Sequence, residues 1–404
     1  MNGSRLVVIY ACIGHFALHV LLGLYLTLVL VIEQVWRKPY DELVALWTLG
    51  ALLVGIGAPL AGWLSDRWGE RRLMLLFFFT AGAASILAGL SESTQTLWLS
   101  LALLGLACSI YHPVALSWVV KHTRRSGKIM GFWGLCGSIG VATASVIAGA
   151  LADQWNWQVA FVVPGALTLA SGVALLFTPT PEGRSDAAEE TDAAEAAVDR
   201  STLIQAFFAL TAAMACTAIF YHALTTMMPK WLGETVFPPA AGDAISIFGV
   251  GTVVTLVYLF GSAAQIAGGA LADRMPLKSL FVITYLVKLP LPIVAALLGG
   301  WPAFAVAAAI VFFLEIGAPV ENILVARYSP PNRRGLIYGL KFVLAFAAGP
   351  VGVQMVAYFY GVSGSFTWLW FTMSGLIAVT LVAALCLPGE RRMARPAPLT
   401  APAA

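Results

Sequence analysis

Charge is what this sequence has least of. Only 11% of its 404 residues are Asp, Glu, Lys or Arg, against roughly a quarter in a soluble globular chain. With 60% of residues hydrophobic and a mean hydropathy of +0.86, water cannot be the solvent for most of the folded surface. Cysteine is scarce too. Cys12, Cys108, Cys136, Cys216 and Cys386 all fall inside apolar stretches, where a thiol behaves as a small hydrophobe. Their spacing gives neither a disulfide framework nor a zinc site. Also missing are a phosphate loop, a nucleotide-binding motif, a nucleophile triad and a metal-ligand cluster. An enzyme is therefore not expected, and neither is a cofactor, a bound metal or a nucleic-acid partner.

What is present is a succession of apolar stretches of about 20 residues, long enough to cross a hydrocarbon core of roughly 30 Å as helix. Breaks at charged, Gly and Pro residues predict spans at 6–32, 41–64, 72–90, 95–120, 127–152 and 157–177, then 203–228, 247–272, 278–298, 301–326, 334–358 and 364–387. The first run is too long for a signal-peptide core and lacks a small-residue cleavage site before Glu33, so it reads as a retained helix. Glu182, Asp186, Glu189, Glu190, Asp192, Glu195 and Asp199 sit among alanines between the two sets of six, in a stretch no membrane could hold. The expected organisation is a six-helix bundle at 1–177, an acidic cytoplasmic linker at 178–201, a second bundle at 202–387 and a disordered, Arg- and Pro-rich cytoplasmic tail at 388–404.

Basic residues orient the chain, because Lys and Arg near span ends stay cytoplasmic. One side collects Arg5, Arg67, Arg71, Arg72, Lys121, Arg124, Arg125, Lys128, Arg184, Arg200, Arg274, Lys278, Arg327, Arg333, Arg334, Arg391, Arg392 and Arg395; the other holds Arg37, Lys38 and Lys230. Both termini are expected in the cytoplasm, as an even number of spans requires. Trp36, Trp98, Trp155, Trp157, Trp231, Trp301, Trp368 and Trp370 fall near the outer interface, where amphipathic rings settle.

The second half echoes the first. Gly62-Trp-Leu-Ser-Asp66-Arg67-Trp-Gly69-Glu-Arg71-Arg72 follows span 2, and Gly269-Ala-Leu-Ala-Asp273-Arg274 follows span 8 at a common offset of 207 residues. Ile110-Tyr-His-Pro113-Val114 in span 4 matches Ile316-Gly-Ala-Pro319-Val320 in span 10. Arg125-Ser-Gly127 opens span 5 as Arg333-Arg-Gly335 opens span 11. Gly62 permits close helix approach. Asp66 offers an anion to a helix N-terminus, an interaction of about 0.3–1 kcal/mol.

The Gly62 to Arg72 segment resembles the cytoplasmic signature of the major facilitator superfamily, and its weaker copy lies where that family carries one. The resemblance covers about residues 6 to 387. It implies twelve transmembrane helices in two pseudo-symmetric bundles, an all-α membrane protein working by alternating access. It further implies that Asp66 faces the start of span 11 near Arg334 and Gly335, latching the cytoplasmic side in the outward-open state, with Asp273 facing span 5 near Arg125. Gly62, Asp66, Arg67, Gly69, Arg71, Arg72, Asp273, Arg274, Arg125 and Arg334 form the implied conformational latch.

Ionisable groups inside the membrane are costly, at least about 2.5 kcal/mol each on insertion scales, so those retained point to function. His15 and His19 share a face of span 1, His112 lies in span 4, and His222 in span 7 corresponds to His19. Spans 9, 10 and 11 carry Lys288, Glu315, Glu321, Asn322 and Lys341. In the resembled family spans 1, 4, 7 and 10 line the cavity. His15, His19, His112, His222, Glu315 and Asn322 are accordingly the candidate substrate-binding residues. Counting from span ends puts Glu321 and Lys341 at a common depth of roughly 10 Å, which suggests a structural pair. Glu321 points about 120° away from Glu315, leaving Glu315 to gain and lose the coupling proton. Lys288 joins Glu315, Glu321 and Lys341 in the candidate coupling set.

The Tyr-His-Pro run of span 4 and the Gly-His-Phe run of span 1 resemble the branch that includes fosmidomycin-resistance-type efflux proteins. Drug antiporters of the superfamily usually carry Gly-Pro in span 5; here Gly134, Gly137 and Gly140 run on without proline, and Gly349-Pro350 lies in span 11 instead. The implied function is a proton-coupled secondary transporter of a small organic solute, resident as a monomer in a bacterial inner membrane. Its partners are the solute, protons and the bilayer. A drug or metabolite efflux antiporter is the first alternative. A non-transporting assembly or sensing factor is the second, and it would tolerate loss of Asp66, Arg67 and Gly69, all of which are present.

Overall fold

The computed structural model describes residues 3–123, 127–181, 200–238, 246–329 and 334–389. There the chain forms α1 (Gly3–Trp36), α2 (Tyr40–Ala45), α3 (Trp47–Trp68), α4 (Glu70–Gly89), α5 (Thr94–Cys108), α6 (Tyr111–His122), α7 (Gly127–Gln154) and α8 (Trp157–Phe177). After the linker come α9 (Arg200–Val236), α10 (Ile247–Ala272), α11 (Leu277–Lys288), α12 (Leu291–Leu297), α13 (Trp301–Tyr328), α14 (Arg334–Ser363) and α15 (Thr367–Cys386). Taking α2 with α3, α5 with α6 and α11 with α12, twelve units among the described residues are long and apolar enough to cross a membrane. The linker residues 182–199 and the tail residues 390–404 lie outside the described residues.

The helices outrun the apolar stretches that announce them. Span 7 was expected to stop near residue 228, before Pro229 and Lys230. Instead α9 carries Pro229 inside the helix and continues to Val236, because Lys230 and Glu234 find ion-pair partners there. Proline acts more strongly in spans 4 and 9. Pro113 has no N–H to donate to the carbonyl of Ser109, and Pro290 none for Leu286; the helix is interrupted at Ser109–Ile110 and again at Leu289–Pro290.

Within each set of six, α1 packs on α7 and α4 on α8, and correspondingly α9 packs on α14 and α11 and α12 on α15. The two sets meet where α7 runs along α10 and α3 along α14. Glycine makes the first of these seams possible. A Cβ on Gly149 would fall 2.4 Å from the Ile247 carbonyl oxygen, and one on Gly251 would fall 2.3 Å from that of Ser145. In lipid, where apolar burial alone does not bring helices together, such backbone approach is what gives the contact its dispersion energy.

Polar contacts across the seam gather at one end. Lys230 Nζ lies 2.6 Å from Glu33 Oε2. The Asp153 carboxylate, at the end of α7, accepts from Ser246 Oγ at 3.0 Å and from the backbone N–H groups of Ile247 and Phe248 at 3.3 and 2.9 Å. It thereby caps α10 from the other half. The Tyr40 hydroxyl donates to the Thr226 carbonyl at 3.3 Å, and Gln354 Nε2 to Thr48 Oγ1 at 2.6 Å. Among the described residues, these cross-seam hydrogen bonds and ion pairs all lie at the Lys230 end, opposite Asp66.

The tryptophans divide. Trp155, Trp301 and Trp368 are exposed, whereas Trp157, Trp231 and Trp370 are buried in the bundle. For those three, packing rather than an interfacial position accounts for the ring.

Candidate functional site

A cavity of about 140 Å³ lies beneath the closed Lys230 end. The first six spans give it His19, Leu22, Gly23 and Leu26 from α1, Trp47, Ala51 and Val54 from α3, and Val141, Ala144 and Ser145 from α7. The last six give Tyr221, His222, Thr225, Thr226 and Pro229 from α9, Val254 and Tyr258 from α10, and Phe346 and Val353 from α14. Two of spans 1, 4, 7 and 10, the expected cavity walls, contribute to this space. Spans 1 and 7 do line it, but its other walls are spans 2, 5, 8 and 11, the helices that converge at the seam. Of the candidate substrate residues, His19 and His222 face this space, whereas His15, His112, Glu315 and Asn322 are not among its lining.

Two polar groups in the wall carry particular weight. His222 Nε2 lies 2.9 Å from the Ala345 carbonyl of α14; a carbonyl only accepts, so Nε2 carries the proton. The Tyr258 hydroxyl is buried without a protein partner, an expense that proteins rarely leave uncompensated. Sequence reasoning missed Tyr258, because a tyrosine in an apolar span gives no signal until its surroundings are known.

His15, His19 and His112 come together, although α1 and α6 are far apart in sequence. Ring centroids lie 5.0 Å apart for His15 and His19, 5.3 Å for His15 and His112, and 5.6 Å for His19 and His112. Trp133 of α7 organises the group: its ring stacks on His15 at 4.3 Å, its carbonyl lies 2.7 Å from His15 Nδ1, and its Nε1–H donates to the Tyr111 hydroxyl at 2.9 Å. Tyr111 in turn donates to the Ala11 carbonyl. Phe346 of α14 approaches His112 at 5.4 Å from the other half. Neither Trp133 nor Tyr111 figured among the candidate residues.

A second polar group lies in the last six spans. Glu315 Oε2 accepts from Gln265 Nε2 of α10 at 3.1 Å. Pro319 removes the helical donor for the Glu315 carbonyl, so the backbone there is also free to bond elsewhere. Lys341 Nζ lies 2.8 Å from Glu321 Oε1 and 2.5 Å from Asn322 Oδ1. Lys288 is fully buried, 4.2 Å from the Tyr285 ring and 5.1 Å from that of Phe220. It interacts electrostatically with both Glu321 and Glu315. Beyond Lys288, which acts on both, Glu315 and Glu321 have different direct partners, Gln265 and Lys341, as their angular separation on one helix allows.

The signature loop is held by its own half. Glu70 accepts from Lys121 at 2.5 Å and Ser117 at 2.8 Å. Arg71 donates to the carbonyls of Leu175, Leu176 and Thr178, at 3.1, 3.0 and 3.3 Å, capping the end of α8. The Arg67 guanidinium stacks 3.5 Å over Trp63. Asp66 and Gly69 open on a recess whose other walls include Trp118 and Lys121 of α6 and Pro181, just beyond α8. Gly69 has φ +85° at the turn between α3 and α4, a conformation that favours glycine. Gly62 lies against Pro113, to which a Cβ there would come within 3.6 Å. Asp273 and Arg274 close α10 in the equivalent turn. Arg125 and the Arg334 side chain lie outside the described residues. Glu70 and Lys121 were not singled out by the sequence, where they read only as loop charges.

Comparison with known proteins bears on this arrangement. The family model described as Major Facilitator Superfamily matches residues 11–241, more than half the chain. Over 126 residues the chain is 29% identical to an uncharacterized transporter of Buchnera aphidicola, covering 31% of this chain and 30% of that protein. It is 32% identical over 133 residues to the multidrug efflux pump LfrA of Mycolicibacterium smegmatis, covering 32% and 25%. These matches span about a third or less of the relatives' lengths. Whole-chain similarity comes from solved structures. A bacterial homolog of the human lysosomal transporter Spinster, inward-facing and occupied, superposes with TM-score 0.71 at 16% identity, covering 98% of this chain and 96% of the other. The nucleoside transporter NupG gives 0.72 at 13% identity, covering 94% and 99%. At such identities the likeness establishes the fold alone.

Proposed function

The chain belongs to the Major Facilitator Superfamily, a family of multi-pass membrane transporters rather than enzymes, and we propose that it is a secondary active transporter of a small organic solute. The observation that carries this reading is the cavity between the two sets of six spans, walled by both and capped by the Lys230–Glu33 and Asp153–α10 contacts. A site shared by two bundles that touch at one end is the geometry alternating access needs. The bundles 1–177 and 202–387 are the two rocking bodies, and the Asp66 end faces the cytoplasm. The state with the Lys230 end closed is then inward-facing, and the Asp66 and Asp273 latches close in the opposite state.

The solute has a mainly apolar body, because most of the wall is Leu, Val, Ala, Trp and Phe. A polar handle reaches the Tyr258 hydroxyl and His222. Glu315, with Gln265 beside it, is the proton-coupling carboxylate, while Lys341 holds Glu321 and Asn322 in a structural group. The apolar wall also favours a second reading, export of amphiphilic drugs or metabolites. It agrees with the short resemblance of the span 1 and span 4 histidine runs to the fosmidomycin-resistance branch.

The test is a screen of solutes for thermal stabilisation of purified protein, followed by transport of each hit in proteoliposomes under an imposed pH gradient. A solute at a hundred times its Kd raises stability by about 2.7 kcal/mol. Under the proposal a hit accumulates against its gradient, and Tyr258→Phe weakens it. Proton entry with the solute identifies symport, and proton exit identifies antiport. Hits that bind but never cross the bilayer, with or without a gradient, would leave a sensing factor as the correct reading.

A further inference from the structure

We propose that His15, His19 and His112 together bind one divalent d-block cation, such as Zn²⁺, Co²⁺ or Ni²⁺, through three imidazole nitrogens. One ring nitrogen from each residue lies within 4.8 Å of those of the other two. A tetrahedral ion with metal–nitrogen bonds of about 2.1 Å holds its ligand nitrogens roughly 3.4 Å apart. The nitrogens therefore close by at most about 1.4 Å, a displacement within the reach of side-chain torsions.

The surroundings favour a metal over a merely packed trio. The Trp133 carbonyl can only accept, so His15 Nδ1 carries the ring proton and Nε2 presents its lone pair. A histidine whose outer nitrogen is fixed by a carbonyl is the usual form of an oriented metal ligand. Gly137 of α7 lets the His15 ring lie directly against the helix and so helps to set its orientation; a Cβ there would fall on the ring, 2.5 Å from both Nε2 and Cε1. Trp133 and Tyr111 hold the group from the sides through ring contacts with His15 at 4.3 and 5.5 Å. Imidazole ligands select later first-row cations over Mg²⁺ or Ca²⁺, which require oxygen.

The triad carries no negative charge of its own, and a bare dication inside a membrane protein is costly. The fourth position is therefore taken by an anion or by an ionisable water. His19 belongs both to the triad and to the cavity wall, so that ligand reaches the ion from the cavity. Metal binding does not depend on the transport reading, and it is measured on the isolated protein.

The experiment titrates Co²⁺ into full-length protein purified in detergent with a tag free of histidine, following visible d–d absorption and calorimetric stoichiometry. One equivalent binds saturably, with the strong absorption of a tetrahedral nitrogen-ligated ion, and Zn²⁺ displaces it. His15→Gln, His19→Gln and His112→Gln each weaken binding by more than about tenfold, while His122→Gln, remote from the triad, leaves it unchanged. Gly137→Ala, which alters no ligand atom, also weakens it. Gel filtration and thermal unfolding identify any variant that fails to fold. Absence of a saturable tetrahedral site in wild type overturns the proposal, as does its survival in folded protein lacking all three histidines.

Discussion

Lys230 of α9 and Glu33 of α1 meet at 2.6 Å across the seam between the two halves of the molecule, with side chains only 13% and 26% exposed. Lys230 also lies 3.4 Å from Glu234, whose carboxylate accepts from the Tyr360 hydroxyl at 2.5 Å. The group ties α1, α9 and α14 into one cap over the cavity. Exposed ion pairs contribute up to about 1 kcal/mol and buried ones lose 3–5 when one partner is removed; this partly buried pair stands between them.

Glu33→Gln should therefore weaken closure at that end by about 1–2 kcal/mol, roughly five- to thirtyfold in the ratio of the two states. Distances between spin labels on the outer ends of α1 and α9 would read it. A broader, longer distribution is expected, and one identical to wild type would remove the pair from the gating machinery.

Asp153 makes the companion contact, capping the first N–H groups of α10 from α7. Asp153→Ala should cost about 1 kcal/mol, the usual penalty for a lost cap, and act in the same direction as Glu33→Gln. The two sites touch different helices, so their effects on state populations should add.

Gly251 has no room for a side chain, since a Cβ there would approach the Ser145 carbonyl oxygen to 2.3 Å. Gly251→Ala should force α7 and α10 apart and lower stability by about 1–3 kcal/mol, the range for overpacking. Thermal unfolding in detergent measures this, with Gly375→Ala as the control, because nothing lies within 4 Å of a Cβ at that position. Equal unfolding temperatures for the two variants would contradict the close crossing.

Lys341 and Glu321 are each largely buried, with side chains 14% and 11% exposed. Lys341→Met strands a carboxylate in an apolar setting and should cost about 3 kcal/mol or more, whereas the double change with Glu321→Leu should recover most of it. Recovery in the double variant identifies the pair as structural; its failure assigns the two charges separate roles.

Glu315→Gln keeps the shape of the side chain and an oxygen for Gln265. The expected outcome is folded protein, checked by gel filtration, that has lost proton-driven accumulation while downhill exchange persists. Uptake that follows the pH gradient unchanged would transfer the coupling role to another group.

The sequence alone determined that the chain carries twelve apolar runs long enough to cross a membrane and that motifs of its first half return in its second. Both are local properties, set by the length of apolar runs, by the charges between them and by motifs recurring at one offset. It also supplied the residues of the central chemistry as a roster without an arrangement. His19 and His222 could be proposed for the cavity, but the displacement of His112 and Glu315 from its walls could not be foreseen. Nor could the meeting of His112 with His15 and His19, the Glu33–Lys230 tie, or the unpaired hydroxyl of Tyr258. The reason lies in the solvent. In water a helix advertises its buried face by contrast, whereas in lipid both faces are apolar and the pattern does not reveal which residues look inward. Rotation about each helix axis is then fixed by close packing at glycines such as Gly137, Gly149 and Gly251 and by a few polar contacts across the seam, and only the tertiary structure decides those.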